Sequence, residues 1–203
     1  ITTVEDLAVL KRVIVQNISD KGTAVLNATD PIVAAMASQC RSGLVTYFAA
    51  DRHNPVMATH LAQGKRAVYV EDGHLVAAEG KVQHRLPLAG VPLTLGGAIG
   101  FQVENVMASV GAAWALGLDW ELIRQGLATF DNDSNNAQGR FNLFRYRGAT
   151  VIADYGHNPD AMLALVQAVG AMPAQRRSVV ISGAGDRRDE DIREQTRILG
   201  DAF

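Results

Sequence analysis

Helix-like and strand-like hydrophobic patterns alternate through the first part of this chain. The predicted elements are a helix over 3–18, a strand at 24–27, a helix from Asp30-Pro31 to about Ser38, and a strand at 44–48. Thr3 followed three residues later by Asp6 predicts a variant of the capping box at the first helix. Alternation of strands and helices is typical of a parallel sheet.

The middle of the chain has a different pattern. Two apolar runs at 67–71 and 74–78 flank Asp72-Gly73, which is a strong signal for a β-hairpin. Extended sequence continues to about Leu95, and we interpret this part as a small antiparallel insert. The periodicity then predicts two helices, over 101–116 and 119–130.

A polar, asparagine-rich segment, DNDSNNAQG, occupies residues 131–139 and predicts a domain boundary. We therefore divide the chain into residues 1–138 and 139–203. The elements predicted in the second part are a hairpin through Arg147-Gly148, a strand to Ala153, a helix from Pro159, a strand at 178–182 and a helix from about Glu190.

The turn from Asp154 to Asp160 is the most informative segment. It joins a predicted buried strand to a helix for which Asn158 is a good N-cap and Pro159 a good first residue. Open α/β sheets bind anionic ligands at such turns, because unpaired backbone N–H groups point outward from the helix N-terminus. The alternative is a capped helix without any ligand.

Composition restricts the classes of function. The 203 residues are 48% hydrophobic and 20% charged, with a net charge of −2, which gives no indication of a nucleic-acid surface. The single cysteine, Cys40, excludes an internal disulfide and fits a reducing, cytoplasmic compartment. No apolar run is long enough to span a membrane. The histidines other than His157 lack zinc-ligand spacing, and we expect them on the surface or in loops.

Four segments in order carry a resemblance to the Mur-type ligases. They are AVLNATDP at 24–31, Asn105 within 101–111, Gly139-Arg140 with the turn at 154–160, and GAGDRRDED at 183–191. The last segment resembles the cyanophycin synthetases within that family. The resemblance implies an α/β, Mur-ligase-like fold. It would comprise part of a central parallel-sheet ATPase domain and a truncated Rossmann-like C-terminal domain.

The resemblance also implies a reaction. Mur-type ligases use ATP and Mg²⁺ to phosphorylate a carboxylate, and an amine then attacks the acyl phosphate to form an amide. In cyanophycin synthetases the Mur-like module joins arginine to aspartate side chains of a poly-aspartate backbone. The implied partners are ATP, arginine, the aspartate/arginine polymer and further copies of the parent chain in a homo-oligomer.

The same resemblance assigns roles to residues. Arg140 would bind ATP phosphate and act in catalysis, Asp154 would hold the ribose, and Asn105 would contact adenine. A planar guanidinium suits phosphate oxygens, and an amide suits a purine edge. His157 would act in catalysis by contacting phosphate or the incoming substrate. Asn158 would contact the nucleotide as well as cap the helix.

Two further assignments each have an ordinary alternative. Asp186, Arg187 and Arg188 would bind the acidic and basic groups of the polymer, whereas a solvated charge run at a helix start is common. Lys11 would help to hold Mg²⁺ if it were carbamylated, because a carbamate offers oxygen ligands to a hard cation. The alternative for Lys11 is an exposed lysine on a helix.

The chain contains no G-x-x-x-x-G-K-[ST] phosphate loop. We expect the 203 residues to be a piece of a longer enzyme and to be inactive when isolated. Three alternatives stay open. They are a relative that polymerises β-aspartyl-arginine dipeptides, a peptidoglycan-type or folate-type ligase, and a non-catalytic binding domain with the same fold.

Overall fold

A computed structural model of the chain describes residues 3–130, 137–182 and 188–203. The α-helices within those ranges are α1 (Val4–Gln16), α2 (Pro31–Ala35), α3 (Pro55–Ala62), α4 (Gly100–Ala115), α5 (Trp120–Thr129), α6 (Pro159–Gly170) and α7 (Asp189–Ala202). The strands are β1 (Ala24–Asn27), β2 (Val45–Asp51), β3 (Ala67–Glu71), β4 (His74–Glu79), β5 (Val82–Pro87), β6 (Asn142–Tyr146) and β7 (Ala149–Ala153). Short 3-10 helices lie at Met36–Gln39, Leu88–Gly90 and Pro92–Thr94. None of the helices in the described ranges is long and apolar enough to cross a bilayer.

The first five strands form one sheet in the order β1-β2-β3-β4-β5. β1, β2 and β3 are mutually parallel, whereas β4 and β5 are added in antiparallel orientation. The hairpin between β3 and β4 is confirmed, with positive φ angles of 49° at Asp72 and 71° at Gly73. The predicted antiparallel pairing is confirmed between β3 and β4 and between β4 and β5. The prediction that these strands form an insert is wrong, because β3 pairs with β2 through its other edge and so continues the parallel sheet.

Helices cover both faces of this sheet. Alternate residues of β3 point to opposite faces, as the two-residue period of a strand requires. Tyr69 packs in the cluster that includes Val15 of α1 and Met57 of α3. Val68 packs in the cluster that includes Met107 of α4. The result is a three-layer α/β arrangement, in agreement with the predicted fold class.

The second part of the chain contains a hairpin and two helices. β6 and β7 pair antiparallel around Arg147 and Gly148, both with positive φ, as the sequence predicts. The predicted strand at 178–182 is wrong, because these residues take no strand conformation in the described structure. Within the described ranges β7 pairs only with β6, and Val180 is fully exposed, so this segment has no neighbour to supply a ladder.

His60 corrects the expectation that histidines outside the turn lie on the surface or in loops. It lies on α3, is 7% exposed, and places Nε2 3.0 Å from the Arg66 carbonyl oxygen and 3.1 Å from the Val45 carbonyl oxygen. The Tyr47 ring contacts it edge-on at 4.8 Å. Burial lowers the pKa of His60, although its hydrogen bonds to the two carbonyl groups oppose that shift.

We expect the free energy of unfolding to fall as the pH drops below about 6.5, the ordinary histidine pKa. Below this pH the unfolded chain binds a proton at His60, whereas the folded chain, with its lower His60 pKa, stays unprotonated there. Acid therefore favours unfolding. Urea unfolding at about pH 7.5 and about pH 5.5 measures this dependence across the histidine range. His60→Gln should flatten it, whereas His53→Gln, at an exposed position, should not. An unchanged slope in His60→Gln would contradict the prediction.

Two threonines are equally buried but differ in the hydrogen bonding of their hydroxyl groups. Thr46 on β2 is 0% exposed, and its hydroxyl has no hydrogen-bond partner in the described structure. Thr94 is also 0% exposed, but its hydroxyl donates to the Val91 carbonyl oxygen at 2.9 Å and accepts from the Gly97 N–H at 3.0 Å. Burying an unpaired hydroxyl costs free energy, whereas a paired one stabilises the fold.

The same substitution should therefore have opposite signs at the two sites. Thr46→Val should raise the free energy of unfolding by about 1 kcal/mol, because it removes an unsatisfied buried group. Thr94→Val should lower it by about 1–3 kcal/mol, because it leaves the Gly97 N–H without its acceptor. Urea denaturation of both variants beside the unsubstituted chain checks this, and a common sign would refute it.

Candidate functional site

The Asp154 carboxylate joins the end of β7 to the loop that precedes β6. Its Oδ2 accepts a hydrogen bond from the Phe141 N–H at 2.8 Å, and its Oδ1 accepts one from the Gly156 N–H at 2.6 Å. In addition, the Tyr155 N–H donates to the Gly139 carbonyl oxygen at 2.8 Å. These three bonds hold residues 139–141 against residues 154–156.

Arg140 lies in the middle of that loop and is exposed. Its N–H donates to the Ala137 carbonyl oxygen at 3.2 Å, which closes a tight turn. The residues on either side have left-handed backbone, with φ of 70° at Gly139 and 54° at Phe141. Phe141 is 2% exposed and packs edge-on against Phe101 of α4, at 5.5 Å between ring centroids. The arginine is therefore carried by a turn that is anchored on both flanks.

Asn142 is a residue of this site that the sequence pattern did not single out. It begins β6 and is 1% exposed. Its Oδ1 accepts from the Gly139 N–H at 2.7 Å, and its Nδ2 donates to the Ala137 carbonyl oxygen at 2.9 Å. The G-R-F-N sequence contains a glycine, which hints at a turn, but nothing in it distinguishes a buried asparagine from an exposed one.

His157 and Asn158 complete the turn at the start of α6. Asn158 is confirmed as the N-cap, because its Oδ1 accepts from the Ala161 N–H at 2.8 Å and Pro159 follows at the first helical position. His157 is half-buried, and its Nδ1 lies 2.9 Å from the Tyr155 carbonyl oxygen. Since a carbonyl can only accept, Nδ1 carries the proton there and Nε2 is the ring nitrogen left for a ligand.

A cavity of about 340 Å³ lies beside this turn. The turn at 154–157 forms one wall, while α6, the segment 179–182 and Leu199 of α7 form the others. A Cβ added at Gly156 would lie 2.5 Å from Met162 Cε and 2.8 Å from Asp154 Oδ1, so both of these side chains would have to move to admit it. His157 lines this cavity, while Arg140 lies on the neighbouring loop that is held against residues 154–156. An imidazole, a guanidinium and a helix N-terminus are groups suited to anions.

Asn105 lies on α4 and is exposed. Its Nδ2 donates to Gln102 Oε1 at 3.0 Å. It is four residues after Phe101, so the two side chains share one face of the helix, and Phe101 contacts Phe141 beside Arg140. The packing of Phe101 on Phe141 therefore connects the helix that carries Asn105 to the turn that carries Arg140.

The remaining predicted residues lie elsewhere or outside the described structure. Asp186 and Arg187 fall outside the described residues. Arg188 precedes α7 and makes two hydrogen bonds to the Asp191 carboxylate, at 2.8 and 2.9 Å, which raise the pKa of the guanidinium. Lys11 is exposed on α1. Across the ranges that the structure describes, no three His, Cys, Asp or Glu side chains converge as a metal site would require.

Comparison with known proteins gives two family matches. The model of the Mur ligase middle domain matches residues 1–113. The model of the Mur ligase glutamate ligase domain matches residues 139–203. Together these matches include α1 to α3, all but the last two residues of α4, the five-stranded sheet and residues 139–203.

Two individual relatives and one solved structure agree with the two family matches. Cyanophycin synthetase of Geminocystis herdmanii (strain PCC 6308) is 38% identical over 100% of this chain and 23% of its own length. Cyanophycin synthetase of Crocosphaera subtropica (strain ATCC 51142 / BH68) is 40% identical over 95% of this chain and 22% of its own length. The chain thus spans less than a quarter of these relatives. The structure of E. coli FolC in complex with DHPP and ADP shares the fold, with a TM-score of 0.54 and 20% identity over 91% of this chain and 46% of that one.

Substituting Asp154 by asparagine should loosen the turn. The amide has one acceptor oxygen, so its NH₂ group would face either the Phe141 or the Gly156 N–H. We expect hydrogen exchange at one or both amides to become at least about tenfold faster, because a hydrogen bond to a charged group is lost.

Exchange measured by NMR or mass spectrometry on the variant and on the unsubstituted chain gives the answer. Asp160→Asn makes the same change of charge in the first turn of α6 and is the matched control. Unchanged protection of both amides in Asp154→Asn would show that the carboxylate does not hold the loop.

Proposed function

Because this chain belongs to the Mur ligase family of ATP-dependent ligases, we propose that it is part of a cyanophycin synthetase. The reaction would join arginine to the side-chain carboxylate of aspartate in a poly-aspartate backbone. We also propose a division into residues 1–138, from the central domain, and 139–203, from the C-terminal domain. The glutamate ligase model begins at residue 139.

One observation carries the choice of substrate. The likeness to two cyanophycin synthetases, at 38% and 40% identity, runs through both parts of the chain without a gap in coverage of more than a few per cent. Family members named for another substrate match at lower identity: a UDP-N-acetylmuramoyl-L-alanyl-D-glutamate--2,6-diaminopimelate ligase of Chlorobaculum tepidum is 28% identical over 95% of this chain, and one of Gloeobacter violaceus is 32% identical over 86%.

Nucleotide binding would use the turn and α4. Each oxygen of the Asp154 carboxylate accepts one backbone N–H, and a carboxylate has about four acceptor positions, so room is left for ribose hydroxyls. Arg140, exposed between its two anchored neighbours, would contact phosphate. Asn105 and Asn158 would complete the contacts. ADP in the FolC structure of the same fold supports the nucleotide class.

The proposed reaction has two steps, which are phosphorylation of the carboxylate and attack of the amine on the acyl phosphate. ATP supplies the phosphoryl group: a carboxylate oxygen forms a bond to the γ-phosphorus, and ADP leaves. The arginine amine then forms a C–N bond to the acyl carbon, phosphate leaves with the C–O electron pair, and the amine loses a proton. Arg140 would stabilise charge that develops on the phosphoryl oxygens, and His157 would orient phosphate or the incoming amine.

Recognition of the polymer is assigned to the start of α7. We propose that Asp186, Arg187 and Arg188 bind acidic and basic groups of the aspartate/arginine chain. The Arg188 side chain is 68% accessible, although the Asp191 side chain with which it pairs is only 25% accessible, so the guanidinium can be reached by a substrate carboxylate from the solvent side. Magnesium is proposed with Lys11 as a carbamylated ligand, but we derive no step through the metal, because the described residues do not assemble its site.

The decisive test is polymer growth by the full-length polypeptide that carries these 203 residues. One reaction receives a poly-aspartate primer with ATP, aspartate and arginine. The other receives a cyanophycin primer with ATP and β-aspartyl-arginine dipeptide. We expect growth in the first. Growth only from dipeptide would reassign the protein to the dipeptide-polymerising relatives, and no turnover in either would leave a peptidoglycan-type or folate-type ligase or a non-catalytic domain.

In that assay Arg140→Ala should slow arginine addition by about 100-fold or more, as expected for loss of a charge-stabilising group. Asp154→Ala should slow it by a similar factor, because it removes the ribose acceptor and both hydrogen bonds that hold the turn of Arg140. Arg145→Ala, an arginine on β6 that donates to Thr150, is the matched control and should keep the rate. The isolated 203-residue chain should not turn over, because it has no phosphate loop. Full activity of Arg140→Ala would remove that residue from the mechanism.

A further inference from the structure

The buried amide of Asn142 stands out among the polar side chains near the site. An asparagine that is 1% exposed has to be hydrogen-bonded, because burying an unpaired amide is costly. Asn142 meets this requirement by reaching back along its own chain. It accepts from the Gly139 N–H at 2.7 Å and donates to the Ala137 carbonyl oxygen at 2.9 Å.

These bonds fix the residues that precede Arg140. The Ala137 carbonyl oxygen receives both the Asn142 Nδ2–H and the Arg140 N–H, so one acceptor ties the amide to the arginine backbone. The Gly139 N–H and carbonyl group are both engaged, the first by Asn142 and the second by Tyr155. Little freedom is left in the backbone on the N-terminal side of Arg140.

The residue that follows Arg140 is fixed from the other direction. Phe141 donates its N–H to Asp154 and buries its ring against Phe101. Its φ of 54° is unfavourable for a residue with a Cβ, and such a conformation persists only where the surroundings enforce it. Asn142 and Asp154 thus hold, by hydrogen bonds, the residues immediately before and after the exposed Arg140.

We infer that Asn142 is a positioning residue for Arg140, and that its amide holds the turn in the one shape that presents the guanidinium to nucleotide phosphate. This inference rests on the proposed role of Arg140 in binding ATP. At 1% exposed, Asn142 has almost no surface with which to contact a substrate or nucleotide. It acts by removing the conformational freedom that Arg140 would otherwise lose on binding.

An amide is required because the position needs an acceptor and a donor together. Asn142→Asp keeps the shape and the acceptor for the Gly139 N–H, but it loses the donor and places a carboxylate oxygen against the Ala137 carbonyl oxygen. Asn142→Ala removes both bonds. The two variants separate loss of one bond from loss of the whole side chain.

A double-mutant cycle in the full-length polypeptide tests the inference. The proteins are the unsubstituted form, Asn142→Asp, Arg140→Ala and the double variant, and the measurement is the Kd of a non-hydrolysable ATP analogue by calorimetry. We expect Asn142→Asp to weaken binding about tenfold in the presence of Arg140 and less than about twofold in its absence. Asn142→Ala should repeat the pattern. Asn17→Ala, which removes an amide hydrogen bond at the end of α1, is the control and should not change Kd.

The outcomes separate the inference from the proposed function. If Arg140→Ala leaves Kd unchanged, its phosphate role fails and the inference fails with it. If Arg140→Ala weakens binding but the Asn142 variants cost the same factor in both backgrounds, only the positioning role is overturned. A purely structural asparagine would lower the melting temperature and give that second result, because its effect would not depend on Arg140.

Hydrogen exchange in the unsubstituted protein covers the case in which the variants do not fold. The Gly139 and Phe141 amides lie in a loop, yet both donate to side-chain oxygens. We expect them to exchange as slowly as amides of the β6–β7 ladder. Rapid exchange at Gly139, at the rate of an open loop, would show that Asn142 does not hold the turn and would overturn the inference.

Discussion

The two hydrogen bonds accepted by the Asp154 carboxylate are the constraint on which the rest of the site depends. One of them holds the loop before β6 and the other holds the turn after β7, so a single side chain fixes both ends of the hairpin. α6 begins at Pro159, three residues after Gly156, with Asn158 as its N-cap. The same carboxylate still has acceptor positions facing outward, so a structural role and a ligand role do not compete.

Side chains of α4 pack both on the loop that carries Arg140 and on the five-stranded sheet. Val103 and Met107 pack in the core beneath the sheet, whereas Phe101, at the first turn, packs on Phe141. Ile99 joins Phe141 and Ala168 of α6 in a separate buried cluster. One helix therefore contributes to both cores. This shared packing sets the position of the helix that carries Asn105 relative to the turn that carries Arg140.

Local chemistry could be predicted from the sequence, whereas tertiary pairing could not. The turns at Asp72-Gly73 and Arg147-Gly148 and the caps at Thr3 and Asn158 follow from residues adjacent in sequence, and all four are confirmed. The supposed insert, the absent strand at 178–182 and the burial of His60 depend on which elements become neighbours. Asn142 belongs to this second group, because its importance lies in what surrounds it. The roles of Arg140 and Asp154 came from family resemblance, and the structure adds their connection.

The hydrogen bonds and ring packing around Arg140 argue against the alternative of a non-catalytic binding or scaffold domain. A segment that only had to lead the chain into β6 at Asn142 would need no more than an ordinary polar turn. Instead, the chain places a buried phenylalanine in left-handed backbone, which costs roughly 1–2 kcal/mol, and buries an asparagine that must be fully paired. Both costs are met by bonds that converge on the residues around one exposed arginine. These two free-energy costs have a physical reason if they fix the orientation of that arginine. A fixed orientation has the largest effect where a guanidinium stabilises charge that develops during a reaction.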